Sequence, residues 1–215
     1  MYIPPRFEEA NVEVMHGLIR QHPLGTLVTI GHAGLDANHI PFVVDAHPAP
    51  YGTLRCHVAR TNPVWQMLET SPNVLAIFQG PDAYISPSAY PSKRSDARVV
   101  PTWDYAVVHA AGTARVIHDR DWLLQQLEDL TQANESGRQE PWRLSDAPAE
   151  YIDKLLANIV GIEIPIAKLV GKWKMSQNRS AADRLGVVED LRQRGAVRVA
   201  DMVEATVRAD EPVYS

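Results

Sequence analysis

The sequence predicts a mainly β domain, a β-barrel with helices packed outside it. Three observations point there. Five or six short segments carry strand-like patterning. Helical segments are scattered among them without regular βαβ alternation. The chain has 215 residues, 45% hydrophobic and 22% charged, which suits one well-cored domain and not a disordered chain.

The elements follow in order. A first helix is expected from about Glu8 to Gln21, because Val12, Met15, Leu18 and Ile19 fall at helical spacing and Pro23 lies just beyond. Gly25 to Ile30 reads as a strand, followed by a Gly-rich break at Gly31 to Gly34. Asn38 to Val44 is a second strand, with Pro41 favouring an edge or a bulge. Thr53 to Val58 is a third. Asn62 and Pro63 read as the N-cap and first residue of a short helix, since Pro lacks the N–H that goes unsatisfied there. Asn73 to Phe78 and Ala83 to Ser86 are the fourth and fifth strands. Val99 to Val116 is one long or bulged strand, with Gly112 as the candidate bulge.

Further on, Trp122, Leu123, Leu127 and Leu130 mark a helix after Asp119. Tyr151, Leu155 and Ile159 mark another, capped near Ser145 or Asp146. Gly161 to Val170 returns to strand alternation, with Ile162, Ile164 and Ile166 on one face and Glu163 on the other. Two helices separated by Gly195 follow Ser180, and the chain frays from Asp210. The expected organisation is a barrel domain with peripheral helices over residues 1–178. A helical extension over 179–215 packs on the barrel or at a dimer interface.

Charge and cysteine count narrow the function classes. The net charge is −5 and no dense run of Lys and Arg occurs, so direct DNA binding is possible but unsupported by charge. The single Cys56 makes neither an internal disulfide nor a thiolate metal cage; it reads as a small buried hydrophobe in a reducing compartment. The N-terminus lacks a basic region followed by an apolar one, and no apolar run approaches the roughly 18 residues of a membrane span. A cytoplasmic location without membrane contact is expected. The phosphate loop GxxxxGK[ST], GxGxxG after a strand, HExxH and GxSxG are all absent. The eight histidines are scattered, and their spacing supports no metal site.

The informative stretches set polar residues against strong strands. The first is Asn38-His39-Ile40-Pro41-Phe42. The second, His57 to Pro63, puts Arg60 and Thr61 just before a helix start, where unpaired N–H groups and a guanidinium suit a phosphate. The third runs from Phe78 to Lys93 and resumes at Val100 to Tyr105. It is dense in Gln, Ser, Tyr, Trp and Pro, with rings to cover a planar ligand and amides and hydroxyls to read its edge. The fourth, Gly171 to Arg179, combines two Lys, a Trp and an amide pair.

These stretches, in this order, resemble the PaiB-like family of FMN-binding negative transcriptional regulators. The resemblance is carried by MYIPPRF at Met1 to Phe7, HPLGTLVT at His22 to Thr29 and ANHIPF at Ala37 to Phe42. HVARTNPVW at His57 to Trp65, FQGPDAYISPS at Phe78 to Ser88 and VVPTWDYAVVHAAG at Val99 to Gly112 continue it. IVGIEI at Ile159 to Ile164 and GKWKMSQNR at Gly171 to Arg179 complete it. The resemblance implies an FMN-binding split β-barrel of the pyridoxamine-phosphate oxidase type, with FMN at a homodimer interface. The phosphate then falls by position to Arg60, Thr61 and Asn62, and the strand of Gln79 to the flavin or its ribityl chain. The remaining positional analogies are Asn38, His39 and His57, then Tyr84, Ser86 and Trp103, then Lys174, Gln177 and Asn178. Two positions depart from the family pattern, which favours an aromatic at Ala89 and Asn at Asp104. A carboxylate at Asp104 disfavours a nearby anion unless it is turned away or paired.

Two functions follow. One is an FMN-binding regulator, with any DNA contact coming from Arg179, Arg184, Arg192, Arg194 and Arg198 in the tail. Asp183, Glu189, Asp190, Asp201 and Glu204 oppose it there. The other is an FMN- or haem-dependent oxidoreductase of the flavin reductase or pyridoxamine-phosphate oxidase type. No acid–base pair is assignable for it; His39, His57 and His109 qualify only through the range in which imidazole titrates.

Overall fold

The computed structural model describes residues 1–31 and 34–209. The sequence break around His32 and the tail from Asp210 lie outside the described residues. The strands are β1 (Glu8–Glu9), β2 (Leu24–Gly31), β3 (Gly34–Pro41), β4 (Val43–Asp45), β5 (Thr53–Ala59), β6 (Asn73–Ile85), β7 (Thr102–Thr113), β8 (Arg115–Ile117) and β9 (Ile159–Lys174). The helices are α1 (Val12–Gln21), α2 (Val64–Thr70), α3 (Arg120–Glu135), α4 (Ala149–Leu156), α5 (Ala181–Gln193) and α6 (Val197–Ala209). The strands hydrogen-bond in the order β3-β2-β6-β7-β9-β5-β4, and β1 and β8 both pair with β9. The chain forms two compact units, residues 1–10, 79–107 and 170–215 in one and 11–78 and 108–169 in the other.

The unit of residues 11–78 and 108–169 holds the expected alternation. β5 is antiparallel to both β4 and β9. Leu54, Cys56 and Val58 of β5 are buried with Val160, Ile162 and Ile164 of β9. β2 forms a hairpin with β3 and pairs β6 through Val28↔Leu75 and Thr26↔Ile77. The Phe42 and Phe78 rings meet edge to face at 5.4 Å. Asn11 caps α1 by accepting from the backbone N–H of Glu13 and Val14, and Met15, Leu18 and Ile19 then bury the apolar stripe. Asp119 caps α3 through the N–H of Trp122.

In the other unit, β1 pairs the end of β9 through Glu8↔Lys172 and Glu9↔Gly171. α5 and α6 form a hairpin that turns at Gly195, whose φ of 76° is costly for any residue with a Cβ. Val187, Val188 and Leu191 of α5 are buried, as are Val199, Ala200, Val203 and Val207 of α6. Asp183 accepts from both the N–H and the hydroxyl of Ser92, at 3.0 and 2.9 Å, and so ties the turn Pro91–Arg94 to α5.

Several expected boundaries move, each for a local reason. The first helix begins at Val12, because Asn11 caps it there and Glu8–Glu9 is spent on β1. The second strand splits at Phe42, whose N–H turns to Pro23 O. Pro41 ends β3, which lies at the sheet edge as expected. The fourth and fifth strands are one, because Gly80 and Pro81 do not break β6; Pro81 lies beyond the residues that pair with β2 and owes that neighbour no donor. The short helix starts at Val64, with the Asn62 side chain still accepting from its N–H. Residues 99–101 are outside β7, and the break falls at Ala114, whose N–H donates to Pro72 O. Ser145 and Asp146 belong to a separate 3-10 turn, Pro148 precedes α4, and Ile159 opens β9 instead of ending the helix.

Gly112 sits inside β7 for a different reason than a bulge. A Cβ there would come within 2.3 Å of Pro165 O. Gly112→Ala is expected to cost about 1–3 kcal/mol, in the range of overpacked sites. A lowered urea midpoint with an unchanged slope would show it.

Candidate functional site

In the unit of residues 11–78 and 108–169, the corner after β5 presents exposed donors. The Arg60 N–H donates to Asn158 O at 2.8 Å, and Trp65 Nε1 donates to Arg60 O at 2.9 Å. The exposed guanidinium is anchored by Nε on Ala157 O at 2.8 Å and by Nη2 on Ile159 O at 2.9 Å. Nη1 keeps its donors, and exposed Thr61 follows with its hydroxyl. Asn62 donates from Nδ2 to Asn38 Oδ1 at 2.9 Å, and Asn38 in turn donates to Asp36. Asn62 and Asn38 thus build the corner, while Arg60 and Thr61 offer the donors. α2 has only seven residues, so its dipole adds little.

His39 and His57 leave this group. His39 lies opposite Thr26 on the outer face of the β2–β3 hairpin. His57 Nδ1 is hydrogen-bonded to Gln126 Oε1 of α3 at 2.8 Å, next to the Arg55–Asp129 ion pair of 2.8 Å. Gln126 was legible in principle: it is a polar residue on the apolar stripe of Leu123, Leu127 and Leu130. Burial holds His109 below the ordinary imidazole range, and it raises the Cys56 thiol far out of the thiolate range.

The other unit carries the aromatic candidates. Tyr84 and Trp103 are 42% and 54% exposed, and their rings meet edge to face at 6.0 Å. Arg194 Nη2 donates to Tyr84 O at 2.9 Å. Gln79 is exposed and donates to Asp82 Oδ2, and Ser86 accepts from the N–H of Ser88. The stretch from Gly171 to Arg179 turns most of its polar groups inward. Lys174 Nζ donates to Thr102 Oγ1 at 2.7 Å and to Trp103 O, and lies 3.5 Å from Asp104 Oδ1. Gln177 Oε1 accepts from the Met175 N–H, and its Nε2 donates to Trp173 O, both at 2.7 Å. Asn178 is exposed.

Asp104 is fully buried, so its charge is both turned away and paired. Ser176 Oγ donates to Asp104 Oδ2 at 2.6 Å. Burial nevertheless pushes the carboxyl above its usual range, against the pull of Ser176 and Lys174. Ser176 lay unselected between two selected residues of its stretch, although hydroxyls are natural partners for a buried carboxylate.

Residues 1–168 match the family described as "Putative FMN-binding domain". The chain belongs to this family. An uncharacterized protein of Emericella nidulans is 36% identical, over 91% of this chain and 92% of its own. Protease synthase and sporulation protein PAI 2 of Bacillus subtilis is 31% identical, over 95% of this chain and 97% of its own. Among solved structures, the flavocytochrome Anf3 of Azotobacter vinelandii superposes with a TM-score of 0.59 at 14% identity, over 78% of this chain and 69% of its own. The fold is mainly β with added helices and is shared with that flavocytochrome. FMN is the cofactor by which the family is described, and the donor set at Arg60 and Thr61 has the chemistry its phosphate needs.

The raised Asp104 pKa gives a signed expectation. The folded state holds this proton more tightly than the unfolded chain. The associated stability is therefore full below the ordinary value of 3.8 and is lost as pH rises through the folded value. Asp104→Asn removes that loss. The stability of Asp104→Asn relative to wild type should grow as pH rises across this window and then level off. Melting curves from acid to neutral pH check it; a flat difference would contradict the assignment.

Proposed function

We propose that this protein is an FMN-binding regulator similar in function to PAI 2, with Arg60 and Thr61 holding the cofactor phosphate. The anchored guanidinium of Arg60 carries the reading. Two backbone carbonyls hold the planar fork in place, so little side-chain entropy is lost when an anion arrives at its remaining donors. Taken by itself, the exposed Tyr84–Trp103 pair has the chemistry to face a planar ring such as a flavin's. When bound, FMN would supply reversible electron chemistry, and the chain's own residues would bind and orient it.

The tail gives little support to direct DNA contact. Arg184 donates to Thr206 O, Arg192 pairs with Asp201 and Glu204, Arg194 pairs with Asp190, and Arg179 lies over the Tyr90 ring at 4.5 Å. Basic groups paired with carboxylates, here Arg192 and Arg194, release few counterions from a duplex, and exposed Arg198 remains the candidate contact of the set. No helix of the described residues is long and apolar enough to cross a membrane. With buried, free Cys56, this favours a cytoplasmic location.

A homodimer is part of the reading. The outer face of β3, β2 and β6 carries Leu24, Ile30 and Leu35, which are 65%, 55% and 77% exposed. Half-buried Val28, Leu75 and Ile77 continue the same face, as the Val28↔Leu75 and Ile30↔Leu35 registers require. A largely apolar sheet face of this kind, interrupted at the Thr26↔His39 pair, is an association surface, and a second copy of the chain matches it in chemistry.

Arg60→Ala should weaken FMN binding about ten- to hundred-fold, the value of a charge-assisted hydrogen bond to phosphate, of roughly 1.5–3 kcal/mol. Titration calorimetry with FMN and with riboflavin reads it. Equal affinity in wild type and variant would reject the phosphate assignment, whereas riboflavin binding should be insensitive to the change. Leu35→Glu should weaken the dimer roughly a hundred-fold, about 2.7 kcal/mol. Sedimentation velocity decides it, and an undisturbed dimer would move the interface elsewhere.

A further inference from the structure

We infer that Asp104, Ser176 and Lys174 form a buried clasp whose task is to position Trp103 as an aromatic face. The inference rests on the flavin reading of the Tyr84–Trp103 pair and goes beyond it by assigning the polar stretch after β9 a positioning role.

The geometry is built around three consecutive residues. Strand alternation sends Thr102 and Asp104 one way and Trp103 the other. The two that flank the indole are both held: Lys174 Nζ reaches Thr102 Oγ1 at 2.7 Å and lies 3.5 Å from Asp104 Oδ1. The same ammonium takes the Trp103 carbonyl, so its three donors are used on one tripeptide. Ser176 closes the far side of Asp104 at 2.6 Å. An end of a strand preceded by the exposed segment 95–101 is otherwise free to fray.

The backbone shows that this arrangement is imposed. Ser176 has φ 59°, in the left-handed region, a conformation that costs a non-glycine residue of order 1 kcal/mol. Gln177 holds the turn from within by bonding the Met175 N–H and Trp173 O. The bond to Asp104 offsets the strain, since a buried carboxylate left without a donor would be costlier still. From the Tyr84 side, Arg194 holds the Tyr84 carbonyl at 2.9 Å. Both rings of the pair are thus fixed by their own backbones and leave their faces open to a ligand.

Two further charged groups of this unit act on Tyr90. Arg179 lies over the Tyr90 ring, and Asp183 is held by Ser92. Neither competes for the Ser176 hydroxyl.

The test uses the full chain labelled with 5-fluorotryptophan, with the Trp103 fluorine resonance assigned by its loss in Trp103→Phe. Ser176→Gly is the sharper variant, because glycine keeps the left-handed turn and removes the small hydroxymethyl group that bonds Asp104; Asp104→Ala is the second. Both should shift or broaden the Trp103 resonance, leave those of Trp65, Trp122 and Trp142 in place, and lower affinity for riboflavin and FMN at least five-fold. Asp104→Asn, which still accepts from Ser176, should restore both the resonance and the affinity. An unmoved Trp103 resonance in Ser176→Gly and Asp104→Ala overturns the clasp. A moved resonance with unaltered flavin affinity overturns its bearing on the ligand. Absence of flavin binding by the wild type would sink the cofactor reading instead, and the fluorine spectra would still decide the clasp.

Discussion

The register of β9 is the constraint on which the rest of the structure depends. Its residues Val160, Ile162, Ile164 and Ile166 are buried in alternation, while Glu163 stays toward solvent. The same strand pairs β5 from Ile159 to Pro165, β8 from Gly161 to Glu163 and β1 at Gly171 and Lys172. A slip of one residue would bring Glu163 into the core and three isoleucines out of it. It would also break the Pro165 O approach to Gly112 and the end of the strand at Lys174 from which the clasp is built. Hydrophobic alternation thus sets where polar chemistry appears at the strand ends.

That dependence explains what was legible. Strands whose alternation is uninterrupted, such as β2, β5 and β9, could be read directly, and so could α3 and the α5–α6 hairpin, with its glycine. The β6 strand could not, since Gly80-Pro81 carries the local signature of a turn and only the end of the β2 pairing makes it harmless. Glu8–Glu9 was equally opaque. Two residues of strand have no periodicity, and their pairing with Gly171 and Lys172 bridges most of the chain's length. Local patterning fails where a distant partner supplies the free energy.

The candidate site was legible by stretch more than by role. Strand-to-helix context singles out Arg60 to Asn62, and the structure leaves Arg60 and Thr61 exposed there while Asn62 is bonded to Asn38. Yet the same kind of polar residue serves opposite ends elsewhere. His57 is spent on Gln126, Gln177 on its own turn and Lys174 on β7. A sequence records that a side chain can donate or accept; it does not record which partner folding has already given it. Buried polar groups are satisfied first, because an unpaired one costs more than a bond to a ligand returns. Side chains still exposed after that demand is met, such as Arg60, Thr61, Gln79, Tyr84, Trp103 and Asn178, are the ones with surface to offer a ligand.

Asp104 shows how one residue can carry both sides of this balance. As a carboxylate near an anionic cofactor it is unfavourable, and burial alone raises its proton affinity. Turned inward, the same charge gives Ser176 and Lys174 a common acceptor that an aliphatic residue could not provide. The cost is electrostatic and falls on stability, while the gain is geometric and falls on the neighbouring indole. Asn would accept the same Ser176 bond without the buried charge. The hydrogen bond, which either side chain accepts, is therefore what bears on the geometry, and the charge adds its cost to stability.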